Sequence, residues 1–245
     1  MKVALCFSGR LGAWKQVKDS IVENIILPLK PDIFLFTWEN QDYRKFIKDY
    51  NVVRFNILDE EKFEGQMKSS TIEYSPGLKP MTFGMRKVFS VFEDYSKSTK
   101  REYDLVIRLR PDLQIHDRIK THEIEDCISR GHIKLPYYEG HKIYNHKEEI
   151  KKELSFSFVY EKVILPNQIN DQIAIGPPSK MKNYMNCYNN IENPIDFMWE
   201  QGYPDYMCRI PECILTMFLK LNNIKYSQLT GSTQFGNFNT KLIKW

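Results

Sequence analysis

Short apolar runs alternate with amphipathic stretches along the first half of this chain, and no other feature of the sequence restricts its fold as much. Apolar runs at residues 2–8 and 32–37 each stop at polar or turn-forming residues, as buried strands do. Residues 52–58 predict a third strand, with Val53, Phe55 and Ile57 on one face. The segments between them predict helices over 14–25 and 43–50. This alternation predicts an α/β fold, with a mostly parallel, mixed central sheet flanked by helices.

The rest of the chain continues the pattern less regularly. A helix is predicted over 80–95 and a strand over 103–109, after a polar segment at 59–79 that we expect to be a mobile loop. The polar stretch 116–153 is interpreted as an irregular insertion. Later elements are predicted as strands at 132–135, 171–175 and 224–229, a helix over 179–188 with Ser179 as its N-cap, and a helix from Pro211 whose apolar face holds Ile214, Met217, Phe218 and Leu221.

Composition excludes several classes of protein. The 245 residues suit a single domain, 1–245, and the net charge of +4 is spread along the chain, which argues against a nucleic-acid partner. No apolar run approaches the ~18 residues of a membrane span. Five cysteines without a CxxC pair, and five histidines without zinc-site spacing, predict free thiols in a reducing compartment and a soluble, cytoplasmic protein.

The first candidate binding motif is Ser8-Gly9-Arg10, directly after the first predicted strand. Glycine lets the backbone approach a ligand, and arginine can make paired hydrogen bonds to a phosphate. An ordinary turn between a strand and a helix is the alternative, because neither a phosphate loop nor a GxGxxG fingerprint is present.

The second candidate follows the strand over 103–109. Side chains two residues apart on a strand share a face, so Arg108 and Arg110 lie on the same face. Asp112 lies on that face as well if the backbone stays extended. Ligands of open α/β sheets bind at the carboxyl ends of strands, so this cluster suggests a site for an anion and a metal. A structural salt bridge is the alternative interpretation.

Three other positions carry a functional and a structural interpretation. Trp38, after Thr37, either lies against a base or sugar or covers the core. Asp171, between two amides, either contacts sugar hydroxyls and accepts a proton or stabilises a local turn. Glu212 stands in the first turn of a predicted helix, where the helix dipole stabilises a carboxylate in any case.

The motifs CFSGR, PDIFLFTW, YDLVIRLRPDL, NDQIAIG and PECILTMFL occur in this order over about residues 1–221. Together they resemble the GT-A type glycosyltransferases of bacterial and large-virus surface-glycan synthesis. The resemblance implies a nucleotide-sugar-binding half at 1–115 and an acceptor-binding half at 116–245, in the cytoplasm of a bacterium or a virus-infected cell.

The resemblance also implies roles for individual residues. Asp171 or Glu212 would be the catalytic base, and Asp112 would bind Mn²⁺ or Mg²⁺ against the diphosphate of the donor. The alternative is that Arg10, Arg108 and Arg110 neutralise the diphosphate directly, through paired hydrogen bonds. The chain departs from the Asp-x-Asp motif of these enzymes, because Arg110-Pro111 precedes Asp112. The donor-binding residues would be Phe7, Ser8, Gly9, Arg10, Thr37, Trp38, Arg86, Arg108, Arg110 and Asp112.

The expected function is therefore transfer of a sugar, hexose or pentose, from a UDP- or GDP-sugar to a hydroxyl of a glycan or glycoprotein, with metal assistance. One alternative is another phosphate-handling transferase, such as a sulfotransferase, which would not need Asp112. The other is an inactive sugar-binding module, which the incomplete Asp-x-Asp motif favours.

Overall fold

The computed structural model describes residues 1–60, 63, 77–136, 169–203, 207–231 and 240–242. The strands in these ranges are β1 (Val3–Ser8), β2 (Asp32–Trp38), β3 (Arg54–Leu58), β4 (Leu105–Leu109), β5 (Leu113–Ile115), β6 (Ile133–Leu135), β7 (Ile173–Gly176), β8 (Tyr226–Gln228) and β9 (Thr240–Leu242). The α-helices are α1 (Trp14–Ile21), α2 (Leu27–Leu29), α3 (Tyr43–Tyr50), α4 (Leu78–Thr99), α5 (Thr121–Arg130), α6 (Pro178–Met185), α7 (Glu192–Glu200) and α8 (Pro211–Leu221). A π-helical turn, Val22–Ile26, joins α1 to α2, and short 3₁₀ turns lie at Cys187–Asn190 and Met207–Arg209.

The main sheet has seven strands in the order β3-β2-β1-β4-β7-β6-β8. The strands β3, β2, β1 and β4 are parallel, β7 runs antiparallel to both β4 and β6, and β8 is parallel to β6. The fold class is thus α/β with a mixed central sheet, as the sequence predicted. A separate antiparallel pair joins β5 to β9.

Side chains of β1 alternate between two cores on the opposite faces of the sheet. Val3, Leu5 and Phe7 lie in a cluster with apolar residues of α1 and α3, whereas Ala4 and Cys6 lie in a cluster with those of α4. Both faces of the sheet are therefore covered, which explains why its central strands are apolar throughout.

Helix α4 lies close to the sheet because of Gly84. A Cβ atom at Gly84 would lie 3.2 Å from Cδ1 of Phe36 and 3.7 Å from the backbone nitrogen of Gly9. This close approach holds the start of α4 beside the ends of β1 and β2.

Most predicted elements are confirmed within one or two residues, but two of the predicted apolar faces are wrong. Val53 and Phe55, expected on one apolar face, are exposed, because β3 is the edge strand of the sheet and Val53 lies just before it. Leu221, expected on the apolar face of α8, is exposed at the last residue of that helix.

Two predictions of local structure are also wrong. Helix α5 occupies part of the stretch expected to be irregular; it buries Ile124 and Cys127 and ends at Gly131, whose φ of 60° is left-handed. Ser179 does not cap α6, because that helix begins one residue earlier at Pro178.

Parts of two predicted segments lie outside the described residues. These are most of the loop expected at 59–79 and residues 137–153 of the expected insertion. In the part of the chain that the structure describes, no helix combines the length and the apolar character needed to cross a bilayer.

Candidate functional site

A cavity of about 350 Å³ opens where β1, β2 and β4 end. Its wall comes from the turns after these strands and from the first turn of α4, at Pro80 and Met81. Parallel strands end at the same edge of a sheet, so residues far apart in sequence converge here. Six of the predicted donor-binding residues line the cavity: Ser8, Gly9, Arg10, Trp38, Arg108 and Arg110.

Arg108 is a buried cation in the wall of this cavity, with only 1% of the residue exposed. Its Nε donates to Oγ of Ser8 at 3.4 Å, and its Nη1 donates to the main-chain carbonyl oxygen of Asp171. Among the described residues, no carboxylate lies within ion-pairing distance of this guanidinium. A buried charge without a counter-ion costs several kcal/mol, which a bound anion would offset.

Gly9 makes the turn that opens the cavity after β1. Its φ of 114° is a conformation that residues with a side chain rarely adopt, and its N–H donates to the carbonyl oxygen of Phe36 at 3.2 Å. The backbone at this turn is therefore exposed to a ligand without an intervening Cβ.

Arg10 is fixed at the rim of the cavity by Glu60. Its Nε and Nη2 donate to Oε1 of Glu60 at 3.0 and 2.9 Å, and Nδ2 of Asn40 donates to Oε2 at 3.1 Å. Glu60 is only 8% exposed and also lines the cavity. Glu60 and Asn40 were not predicted from the sequence, because neither belongs to a strand or helix pattern that would place it beside Arg10.

Arg110 and Asp112 form a paired ion contact after β4. Nε of Arg110 donates to Oδ1 of Asp112 at 3.1 Å, and Nη2 donates to Oδ2 at 2.9 Å. Burial disfavours the charged form of Arg110, but the hydrogen bonds to Asp112 and the charges of Asp171 and Glu212 outweigh it and raise the pKa of the guanidinium. Arg110 therefore stays charged at every relevant pH.

Contacts from α1 and the π-helical turn hold the segment after Asp112. Oγ of Ser20 accepts the N–H of Ile115 at 3.1 Å, and Nδ2 of Asn24 donates to the carbonyl oxygen of the same residue at 2.9 Å. Both backbone groups of Ile115 are thus satisfied. The turn that carries Arg110 and Asp112 is consequently anchored at both ends, by β4 and by β5.

The residues present do not fit the metal site that the sequence predicted at Asp112. Mg²⁺ is usually held by one or two carboxylates together with substrate phosphates, and both oxygens of Asp112 already accept hydrogen bonds from Arg110. Within the described ranges, no three side chains of the types His, Cys, Asp or Glu are grouped as metal ligands. The cation beside Asp112 is a guanidinium of the chain itself.

Both candidate bases act electrostatically on Arg110. Asp171, just before β7, is 4% exposed, and its Oδ2 has no hydrogen-bond partner among the described residues. Glu212 is half-buried in the first turn of α8. The charges of both carboxylates act on Arg110, so the structure places them in one electrostatic environment.

Four of the ten predicted donor-binding residues, Phe7, Thr37, Arg86 and Asp112, do not line the cavity, and neither do the candidate bases Asp171 and Glu212. The side chain of Phe7 lies in the core, with its ring 5.2 Å from that of Phe46. Thr37 is fully buried and, by alternation along β2, faces away from the cavity side occupied by Trp38. The guanidinium of Arg86 lies 5.9 Å from the ring centre of Tyr188, on the exposed side of α4.

Trp38 covers the core, as one of its two interpretations predicted, and it also lines the cavity. It lines the cavity, yet it is 1% exposed and packs edge-on against Phe36 at 5.0 Å between ring centres. Its indole thus forms part of the core and part of the floor of the cavity.

No protein-family model matches the chain, and no curated protein matches it. Among solved structures, it resembles mouse xyloside xylosyltransferase 1 in its apo form, with 10% identity over 94% of this chain and 84% of that chain and a TM-score of 0.47. A likeness this distant carries no argument about activity, so the α/β class rests on the sheet described above.

Proposed function

We propose that this chain is a glycosyltransferase that transfers a sugar from a nucleotide-sugar to a hydroxyl of a glycan or glycoprotein. The proposal combines the resemblance of its sequence motifs to GT-A type enzymes with the chemistry of the cavity. The donor would be a UDP- or GDP-sugar, and the product a surface polysaccharide of a bacterium or a large virus.

The observation that carries the proposal is the guanidinium of Arg108, which is buried at the carboxyl end of β4 and has no carboxylate partner among the described residues. A bound anion would offset the free-energy cost of this buried charge. The guanidinium faces a cavity whose volume lies within the ~300–1,000 Å³ of small-molecule sites. The diphosphate of a nucleotide-sugar supplies this anion. Gly9 leaves room for it beside the backbone of the first turn.

In the proposed reaction, the acceptor hydroxyl attacks the anomeric carbon of the donor sugar by direct displacement. The hydroxyl proton passes to the carboxylate of Asp171 or Glu212 as the new C–O bond forms. The bond between the anomeric carbon and the diphosphate breaks, and its electron pair leaves with the nucleoside diphosphate. Arg108 and Arg110 stabilise the charge that develops on this leaving group.

A panel of UDP-, GDP-, dTDP- and CMP-sugars, assayed by release of the nucleotide, tests the proposal. We expect release from one nucleotide class, faster when a glycan acceptor is present. Glycan binding in titration calorimetry without any turnover of the panel would contradict the enzyme and indicate a sugar-binding module.

The same panel should include a sulfate donor. Turnover of a phosphosulfate, with none of any nucleotide-sugar, would show that the cavity serves sulfate transfer instead. Unchanged nucleotide affinity in a variant lacking the Arg108 charge would show that the ligand lies elsewhere.

A further inference from the structure

The carboxylate of Asp112 holds the guanidinium of Arg110 in one orientation. Asp112 is 9% exposed, and each of its oxygens accepts one N–H of Arg110. Arginine has five N–H groups in a rigid, planar arrangement. Holding Nε and Nη2 on one carboxylate therefore fixes the orientation of the whole group.

This orientation leaves part of Arg110 available to the cavity. Two of its N–H groups are used on Asp112, and the remaining three make no hydrogen bond to the described residues. Arg110 lines the cavity and is partly exposed, whereas Arg108 lies deeper in the same wall. A phosphate entering the cavity would meet both guanidiniums.

A divalent cation at Asp112 would have to displace Arg110. The displaced guanidinium would lose two hydrogen bonds to a carboxylate, which are among the stronger hydrogen bonds in proteins. It would also be left facing the metal, a repulsive arrangement at short distance. The geometry thus opposes the metal role that the motif resemblance assigned to Asp112.

We propose that Asp112 is a positioning residue for Arg110, and that Arg108 and Arg110 bind the diphosphate without a divalent cation. This inference rests on the proposed function, because it requires a ligand that carries a diphosphate. It replaces the metal of the Asp-x-Asp enzymes with two guanidiniums of the chain.

Calorimetric titration of the full chain with UDP and GDP, in EDTA and then in Mn²⁺, tests the inference. We expect the same dissociation constant in both conditions. Arg110→Ala should weaken binding about tenfold, the loss expected for one hydrogen bond to a charged group. Asp112→Asn should weaken binding as well, because the carboxylate no longer orients Arg110, and added Mn²⁺ should not restore it.

Control variants separate loss of binding from loss of folding. Arg110→Ala leaves Asp112 buried without its cation, so the pair variant Arg110→Gln with Asp112→Asn removes both charges together and should bind as weakly as Arg110→Ala. Arg54→Ala, an exposed arginine on β3 that does not line the cavity, should bind like the wild type. A thermal melting curve recorded by circular dichroism verifies that each variant is folded.

Titration of Mn²⁺ alone, followed by electron paramagnetic resonance, tests Asp112 without any nucleotide. Mn²⁺ that binds the wild type but not Asp112→Asn would overturn the inference, as would nucleotide affinity that depends on Mn²⁺. Failure of every nucleotide to bind in both conditions would instead overturn the proposed function, and the inference with it.

Discussion

At the residue scale, Arg108 is unusual because it is buried in the wall of a cavity without a carboxylate partner among the described residues. Its contacts, Ser8 Oγ and the carbonyl oxygen of Asp171, are neutral acceptors. Neutral acceptors orient a guanidinium but offset little of the free energy of burying its charge. The remainder of the fold must therefore offset the free energy of burying the Arg108 charge. The charge itself stays available to a ligand.

The first prediction concerns the free energy of burying the charge of Arg108. In Arg108→Met, an apolar chain of similar length replaces the buried charge, so we expect a melting temperature at least equal to that of the wild type. Affinity for the nucleoside diphosphate should fall by about tenfold or more, since a hydrogen bond to a charged group is lost. Differential scanning calorimetry and titration calorimetry measure the two effects.

Arg54→Met is the matched control, because it removes an exposed arginine outside the cavity. A lower melting temperature in Arg108→Met, together with unchanged nucleotide affinity, would mean that Arg108 has a structural role.

The second prediction distinguishes Asp171 from Glu212 as the base. The Oδ2 atom of Asp171 has no hydrogen-bond partner among the described residues, so it is free to accept a proton. Asp171→Asn should lower kcat about 100-fold with little change in KM. Glu212→Gln should have the smaller effect, and Asp196→Asn, an exposed position on α7, serves as the control. The opposite order of the two effects would assign the base to Glu212.

At the scale of elements, a buried ionic network joins α5 to β6. Nζ of Lys134 lies 2.6 Å from Oε2 of Glu123 and 2.7 Å from Oδ2 of Asp126. Oε1 of Glu123 also accepts the hydroxyl of Thr230, just beyond β8. The network ties the last strands of the main sheet to a helix that contributes few apolar contacts of its own.

The third prediction is that this network stabilises the protein. Glu123→Gln leaves the buried Lys134 with one carboxylate fewer and should lower the free energy of unfolding by about 3 kcal/mol. Chemical denaturation measures the loss. The double variant Glu123→Gln with Lys134→Met should recover part of it, because no charge is then left unpaired at these two positions. Strictly additive losses would show that the pair is not coupled.

The same network predicts how stability depends on pH. Hydrogen bonds from Lys134 lower the pKa of Asp126, and although burial acts to raise the pKa of Glu123, hydrogen bonds from Lys134 and Thr230 lower it overall. The stabilisation is complete above the unfolded-state pKa values of about 4 and is lost as the pH falls through the lower folded-state values. Glu123→Gln should therefore show a smaller loss of stability on acidification than the wild type.

At the scale of the whole molecule, the five cysteines are all free and buried. Burial raises the pKa of Cys127 and Cys187 to about 12, so few thiolates form near neutral pH. These thiols therefore contribute to the core as small apolar groups, as the absence of a CxxC pair suggested.

The fourth prediction follows from this burial. In the native protein, none of the five thiols should react quickly with a disulfide reagent, whereas all five should react in concentrated guanidinium chloride. The rate of thiol labelling, measured in the native protein and in the denatured protein, tests both expectations. Reducing agent should leave the melting temperature unchanged, and rapid labelling of a native thiol would identify a region that opens locally.

The amino-acid sequence alone is sufficient to predict the α/β class, most strand and helix positions, and the convergence of Ser8, Gly9, Arg108 and Arg110 at one edge of the sheet. These follow from local periodicity and from the rule that parallel strands end together. Short elements with few apolar residues, such as α5, escaped prediction because their patterns are weak.

The tertiary structure sets which partner each charged side chain has. It paired Arg10 with Glu60 and Arg110 with Asp112, left Arg108 without a carboxylate among the described residues, and placed Phe7 in the core instead of the cavity. Side chains that meet across distant segments depend on strand order and helix packing, which periodicity does not specify. The charge available to a ligand is therefore a property of the folded molecule, even though every arginine that carries it was visible in the sequence.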